Sequence, residues 1–99
     1  MKYRFTDVQD LKCMINPRDF YIREQDLGVI KNSGKWMEGG ICPFHLDKKP
    51  GSFFIHSQIG AYTCYSCGTR GSDIISFTME KYGLRFKEAL EKLKSEWGV

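Results

Sequence analysis

Two pairs of potential metal ligands carry the clearest chemistry in this sequence. Two residues separate Cys42 from His45 and Cys64 from Cys67, and eighteen residues lie between the pairs. A two-residue gap lets both members of a pair bind one ion from a single tight turn, and two such pairs complete a tetrahedral Zn²⁺ site. Three thiolates and one imidazole leave no position for water. We therefore predict one structural zinc ion that takes no part in hydrolysis.

The same cysteines have two other interpretations. Four cysteines could form disulfides in a secreted chain, but that would leave the pairing of Cys42 with His45 unexplained. The segment from Cys64 to Cys67 could belong to a thioredoxin-like redox enzyme, although the neighbouring pattern lacks the strand-helix-strand context. One equivalent of bound zinc, with unreactive thiols at Cys64 and Cys67, would exclude the redox enzyme.

Two further residues have ligand chemistry without ligand spacing. Cys13 lies in a predicted helix with no partner nearby, and we interpret it as a small, partly buried thiol. His56 lies eight residues before Cys64, outside either two-residue gap, so we interpret it as a strand residue with an ordinary hydrogen bond.

Length and composition indicate one small globular domain, residues 1–99. The chain is 41% hydrophobic and 27% charged, which is ordinary for a folded protein. The N-terminus lacks the apolar stretch of a signal peptide, and no apolar run reaches the roughly 18 residues that span a bilayer. These features predict a cytoplasmic protein in a reducing compartment, with no membrane partner.

A helix is predicted before the ligand region. Thr6 to Gln9 matches a capping box, and apolar residues follow at helical spacing at Val8, Leu11 and Ile15. This helix should end before Pro17, since proline cannot continue a hydrogen-bonded helix.

The ligand pairs fall in a predicted antiparallel zinc ribbon, residues 27–71. Short segments rich in β-branched and aromatic residues alternate there with glycine-containing turns. The predicted strands are Leu27 to Lys31, Lys35 to Met37, Ser52 to His56 and Ala61 to Cys64. The metal ligands lie at the turns between them.

Two helices are predicted after the ribbon, over about residues 72–97. Ser72 could cap the first, which would begin at Asp73 and end at Gly83. The second presents one apolar face, made of Phe86, Ala89, Leu90, Leu93 and Trp97. The sequence therefore predicts an α+β zinc ribbon: a small antiparallel sheet with one N-terminal and two C-terminal helices.

Residues around the ligands resemble a known family. The segments are Gly34-Lys35, Gly40 to Pro50, Ser52-Phe53, Cys64 to Gly68, Gly71, Phe77 to Met79, Gly83 and Phe86 to Ala89. They are similar to the Cys-His-Cys-Cys zinc-binding domain of bacterial DnaG-type DNA primases, over roughly residues 31–93. Gly51 is an apparent insertion, Tyr65-Ser66 replaces the usual Phe-Gly, and the match before residue 27 is loose. The loose match before residue 27 suggests a divergent member, such as a primase of a phage, plasmid or other mobile element.

The resemblance implies a template-recognition module of the primosome. It would contact single-stranded template and help a primase to select the start site of an RNA primer during DNA replication. Cations and aromatic rings interleave in the ribbon, where rings could stack on bases and lysines could hold phosphates. The predicted nucleic-acid contacts are Lys31, Lys35, Lys48, Lys49, Tyr62, Tyr65 and Arg70.

The aromatic residues each have an alternative role in the core. Phe53 and Phe54 cannot share a face of a strand, so we assign Phe53 to the core and leave Phe54 open. Tyr62 and Tyr65 are equally compatible with the core and with a stacking platform. The formal charge of +3 falls to about +2 once three thiolates hold Zn²⁺, too little to hold long duplex DNA by charge alone.

The chain alone is not expected to be an enzyme. It has no Asp-x-Asp pair and no glycine-rich phosphate loop of the kind that holds Mg²⁺ and nucleotides. Its expected partners are single-stranded DNA, a primase catalytic domain in cis or in trans and, as a further candidate, the replicative helicase. A rival hypothesis makes it a zinc ribbon that mainly docks a polymerase domain or helicase.

Overall fold

The computed structural model describes residues 5–27, 34–46 and 49–99. Over these ranges the chain forms two helices, a four-stranded sheet and two further helices. The elements are α1 (Phe5–Met14), α2 (Pro17–Glu24), β1 (Trp36–Glu38), β2 (Phe53–His56), β3 (Tyr62–Cys64), β4 (Arg70–Gly71), α3 (Ile74–Tyr82) and α4 (Phe86–Trp97). The predicted α+β zinc-ribbon fold is confirmed.

The N-terminal region contains two helices where one was expected. The first ends before Pro17, as predicted, but Pro17 then begins α2, and the side chain of Asn16 caps that helix by accepting from the Asp19 N–H at 3.2 Å. Proline suits the first position of a helix because its fixed φ is already helical and its missing N–H would have no partner there. The proline therefore both separates the two helices and starts the second.

The four strands form one antiparallel sheet in chain order, β1-β2-β3-β4. Alternate residues face the core, which buries Met37, Phe53, Ile55, Tyr62 and Cys64. The opposite side is the outer face, with Trp36, Phe54 and Arg70 among its residues. The two-residue strand β4 was not predicted. The predicted strand from Leu27 to Lys31 lies, apart from Leu27 itself, outside the described residues.

Phe77 of α3 is the centre of the core. Its ring lies 4.9 to 6.1 Å, centroid to centroid, from the rings of Tyr21, Tyr62, Phe44, Phe20 and Phe53. These residues come from α2, the first ligand loop, β2 and β3, so a single side chain contacts all the parts that position the ligands. The buried ring of Phe53 confirms its assignment to the core.

The C-terminal helices follow the prediction with two differences. Asp73, rather than Ser72, caps α3 by accepting from the Ser76 N–H at 2.8 Å, and Gly83 ends the helix with a φ of 64°. Phe86 is exposed, whereas Ala89, Leu90 and Leu93 of α4 are buried. Phe86 is the first residue of α4 and lies beyond the part of the helix that packs on the core. Among the helices of the described residues, none is long and apolar enough to cross a membrane.

Candidate zinc centre

The four predicted ligands converge at one end of the sheet. Cys42 and His45 lie in the loop between β1 and β2, while Cys64 ends β3 and Cys67 follows in the turn to β4. One ligand atom from each residue lies within 4.8 Å of all the others. Within the described ranges, this is the one group of three or more Cys, His, Asp or Glu residues close enough to share an ion.

The distances between these atoms suit zinc. Sγ of Cys42 lies 3.9 Å from Sγ of Cys67, and Sγ of Cys64 lies 3.9 Å from Nδ1 of His45. A tetrahedron with Zn–S bonds of about 2.3 Å has edges of about 3.8 Å between sulfur atoms. Three sulfurs and one imidazole nitrogen also match the soft donor set of structural zinc sites. The chain therefore positions these four residues to bind one zinc ion, as predicted.

Each ligand pair is shaped by its own turn. In the first turn, the backbone N–H of Phe44 donates to Sγ of Cys42 at 3.4 Å. In the second, the N–H of Gly68 donates to the carbonyl oxygen of Cys64 at 2.9 Å, and Gly68 has a φ of 80°. Glycine adopts this left-handed conformation without steric cost, so the chain can turn immediately after Cys67.

The two cysteines that lie 3.9 Å apart have thiols of different acidity. Burial raises the pKa of Cys42 to about 12, despite the opposing hydrogen bond from Phe44. Hydrogen bonding with the hydroxyl and the backbone N–H of Thr69 lowers the pKa of the exposed Cys67 to about 6. Cys67 therefore offers a thiolate at neutral pH, whereas Cys42 must release a proton when a metal binds.

The two other residues with ligand chemistry, Cys13 and His56, lie outside the metal cluster. Cys13 is exposed rather than partly buried, because it points away from the side of α1 that buries Leu11. Nδ1 of His56 accepts from the N–H groups of Gln58 and Ile59, both at 3.2 Å. The interpretation of His56 as a strand residue with an ordinary hydrogen bond is confirmed.

Four of the predicted nucleic-acid contacts are exposed. They are Lys35, Lys49, Tyr65 and Arg70. A shallow groove on the outer face of the sheet brings Tyr65 and Arg70 together with Trp36, Thr63 and Ser72. Lys35 directly precedes Trp36 and β1. Lys31 and Lys48 lie outside the described residues.

The prediction that Tyr62 contacts nucleic acid was wrong. Its side chain is only 1% exposed, and its hydroxyl donates to Oε2 of Glu80 at 2.8 Å. Tyr62 borders the groove, but a ring that packs between Phe44 and Phe77 cannot stack on a base. Its position two residues before Cys64 places both on the inner face of β3.

Trp36 was not among the predicted nucleic-acid contacts. Trp36 is 47% exposed and lies beside Tyr65 and Arg70 in the groove. The alternation of β1 contains the signal, because Met37 is apolar and buried and its two neighbours must then face outward. Trp36 consequently joins the candidate contacts.

A closed Cys₃His centre at the turns of a four-stranded antiparallel sheet, with helices packed on one face, defines a zinc-ribbon protein with a structural metal site. Comparison with known protein families identifies the family of this zinc ribbon. Residues 7–99 match the CHC2 zinc finger of the DnaG-type zinc ribbon, and the chain belongs to this family. The resemblance to primase zinc-binding domains is thereby confirmed.

Individual relatives agree with the family assignment. The DNA primase of Thermotoga maritima is 42% identical over 59 residues, which cover 60% of this chain and 10% of the relative. The DNA primase of Lactococcus lactis is 34% identical over 92 residues, covering 93% and 14% of the two chains. The chain thus spans about a tenth to a seventh of the length of these curated relatives.

A solved structure has the same fold. The crystal structure of the zinc-binding and RNA polymerase domains of the Aquifex aeolicus primase superposes with a TM-score of 0.69 at 26% identity. The match covers 93% of this chain and 21% of that chain. The likeness therefore includes both the ribbon and helices on either side of it.

Proposed function

We propose that this chain is the template-recognition module of a DNA primase, which binds single-stranded DNA and helps to select the start site of the RNA primer. Nucleotide polymerisation would belong to a primase catalytic domain, joined in cis or acting in trans. Membership of the DnaG-type zinc-finger family supports the link to a primase. The claim of template binding depends on the outer face of the sheet.

The observation that carries this claim is a polar and aromatic row across all four strands. The pairing register places Glu38 beside Phe54, Phe54 beside Thr63, and Thr63 beside Arg70. A second pair, Trp36 and His56, lies next to this row. The row thus runs from a carboxylate at one edge of the sheet to a guanidinium at the other.

Two exposed rings could stack on bases. Trp36 is 47% exposed, and Tyr65 is 77% exposed with its ring centroid 5.6 Å from that of Phe54. Stacking of one base on an exposed ring contributes about 1–3 kcal/mol and tolerates any base. The groove has a volume of about 600 Å³, within the range of roughly 300–1,000 Å³ typical of sites for small ligands.

One cation, Arg70, lies beside these rings, and a second, Lys35, is next to Trp36 in the chain. Arg70 lies in the groove and Lys35 precedes β1, so each could contact a phosphate on either side of a stacked base. Threonine and serine hydroxyls at Thr63 and Ser72 could read base edges. With so few cations, we expect weak and moderately salt-sensitive binding, which suits a module that samples template before a primer starts.

Fluorescence anisotropy with a short, labelled single-stranded oligonucleotide tests this proposal. The variants Tyr65→Ala and Arg70→Ala should each weaken binding by about fivefold or more, because a stacking or charged contact contributes at least 1 kcal/mol. Lys87→Ala is the matched control, since Lys87 is exposed on α4 and does not line the groove. Absence of binding by the zinc-loaded protein, or equal binding by all variants, would contradict the proposal.

A different surface favours docking as a second candidate function. Ile41 and Leu46 flank the first ligand pair and are 47% and 97% exposed. Exposed apolar side chains beside a rigid turn can anchor a protein partner. The double variant Ile41→Ser with Leu46→Ser should then reduce priming with a separately supplied primase catalytic domain, and leave oligonucleotide affinity unchanged.

A further inference from the structure

One side chain of α2 holds the chain that leads into the first zinc ligand. Nε2 of Gln25 donates to the carbonyl oxygen of Gly39 at 3.0 Å and to that of Ile41 at 2.9 Å. These carbonyls lie on either side of Gly40, and Cys42 follows at once. An amide NH₂ has two donors, and both are used here on the same short segment.

The end of α2 presents Gln25 in a fixed position. Its backbone N–H donates to the carbonyl oxygen of Tyr21 at 2.9 Å, and Asp26 then turns the chain with a φ of 52°. Tyr21 is fully buried, and its hydroxyl donates to the carbonyl oxygen of Gly60 at 2.6 Å. The glutamine therefore projects from a helix that is itself anchored to the turn between β2 and β3.

The segment that Gln25 contacts, from Gly39 to Ile41, packs closely against the chain that follows α2. Gly40 has a φ of 81°, and a Cβ at that position would lie 2.7 Å from Cδ2 of Leu27. The chain between β1 and Cys42 thus packs closely against the residues that follow α2. The Gly39 N–H in turn donates to the carbonyl oxygen of Phe53 at 2.8 Å, so the segment is held both by the end of α2 and by β2.

We propose that Gln25 is a positioning residue for the zinc centre. Its two hydrogen bonds hold the backbone before Cys42 in the conformation that directs the thiol toward the other three ligands. Zinc then binds a loop that is already ordered, and the ion dissociates more slowly because the loop cannot open on its own. This inference concerns the metal centre and does not depend on template binding.

The sequence gives no sign of this role. Gln25 lies in the segment where the resemblance to primases is loosest, among charged and polar residues. Groups hydrogen-bonded to the metal ligands themselves tune metal affinity by about 10- to 100-fold. A glutamine that acts through the backbone of the loop should fall at the lower end of that range.

Two variants of the full chain test the proposal. Gln25→Met retains the length of the side chain and removes both donors, whereas Gln25→Glu places oxygen atoms against the two carbonyl oxygens. Gln58→Met is the matched control, because Gln58 is exposed in the turn between β2 and β3. The measurements are zinc affinity by competition with a chromophoric chelator, the rate of zinc transfer to excess chelator, and the Co²⁺ absorption spectrum.

We expect Gln25→Met to bind zinc about tenfold more weakly and to transfer it about tenfold faster, with Gln25→Glu more strongly affected. The Co²⁺ bands of Gln25→Met should also shift or broaden, because the thiolate of Cys42 is less well oriented. A merely structural glutamine would lower the melting temperature and leave all three metal readouts within twofold of those of Gln58→Met. That result would overturn the proposal.

A third variant covers the case in which Gln25→Met is too unstable to load with metal. Gln25→Asn retains both donors and withdraws them by one methylene group. It should show a smaller change in the same direction for zinc transfer, and unchanged transfer in Gln25→Asn would equally overturn the proposal.

Discussion

The hydroxyl of Tyr62 donates a 2.8 Å hydrogen bond to Oε2 of Glu80 and so joins the central part of the sheet to α3. Tyr62 also packs against Phe44, which lies between the two ligands of the first pair, with ring centroids 5.5 Å apart. The same side chain therefore contacts both the helical layer and the loop of the first ligand pair. A substitution at Tyr62 should affect both.

Replacement of Tyr62 by Phe isolates the contribution of this hydrogen bond. The ring remains, Glu80 can be solvated, and the lost bond should destabilise the fold by about 1 kcal/mol. Urea unfolding of the zinc-loaded protein measures this change. Tyr65→Phe is the control, because Tyr65 is exposed and should change stability by less than about 0.5 kcal/mol. Equal effects of the two substitutions would show that the bond to Glu80 adds nothing.

Removal of zinc should unfold the ribbon. Structural zinc contributes roughly 10–16 kcal/mol in small zinc peptides, whereas a whole domain has a net stability of only about 5–15 kcal/mol. A titration with chelator should therefore abolish the near-UV CD of the ribbon aromatics and lower the melting temperature, and one equivalent of Zn²⁺ should restore both. An unchanged spectrum in the metal-free protein would show that the hydrophobic core alone maintains the fold.

The substitution Gly71→Ala should displace β4. A Cβ on Gly71 would lie 2.4 Å from the ring and hydroxyl of Tyr62, which cannot move because the surrounding core is tightly packed. We expect a loss of about 1–3 kcal/mol of stability and, because Arg70 lies on the same strand, weaker oligonucleotide binding. Ser72→Ala, at the adjacent exposed position, is the control for stability, and Lys87→Ala, away from the groove, is the control for binding. A Gly71→Ala protein as stable as this control would mean that β4 shifts without cost.

The metal site was predictable because it depends on local geometry. A two-residue gap places Cys42 and His45 in one turn, and a second gap places Cys64 and Cys67 in another, independently of the tertiary structure. The inward position of Tyr62 could have been deduced as well. Cys64 must face the metal and the core, and Tyr62 lies two residues earlier on the same strand.

Other features depend on tertiary contacts that no local pattern reveals. Gln25 reaches carbonyl groups fourteen and sixteen residues away, and this contact requires the packing of α2 against the ribbon. Strand β4 has only two residues, too few for an alternating pattern to appear. The helix after Pro17 has eight residues, and its proline suggested an end as readily as a start.

Alkaline pH should destabilise the protein through three tyrosines whose phenol pKa values are raised in the folded state. Burial, reinforced by a hydrogen bond to Glu24, raises the pKa of Tyr82 to about 12, and burial raises the pKa values of Tyr21 and Tyr62 further. Phenols in the unfolded chain ionise near pH 10. Above that pH the unfolded state loses protons first, so stability is complete below about pH 10 and falls as the pH rises through 12.

Absorbance at 295 nm, which reports tyrosinate, and far-UV CD together test whether stability falls as the pH rises. Tyr21 and Tyr62, which are buried, should ionise only as the helices melt, whereas the partly exposed Tyr82 can ionise near pH 12 in the folded protein. Tyr82→Phe removes one of these groups and should make the loss of stability with pH less steep. Gradual ionisation of all the tyrosines without loss of CD would contradict the expectation.

The salt dependence of oligonucleotide binding should show how many phosphates the outer face of the sheet contacts. Each contact to a single strand adds about −0.7 to the slope of log K against log salt. If Arg70 in the groove and Lys35, next to Trp36 in the chain, each contact one phosphate, the slope is about −1.4, and Arg70→Ala should reduce it by about half. Tyr65→Ala should weaken binding and leave the slope unchanged, because a stacking contact releases no counterions. A slope that stays constant in Arg70→Ala would place the phosphates elsewhere on the molecule.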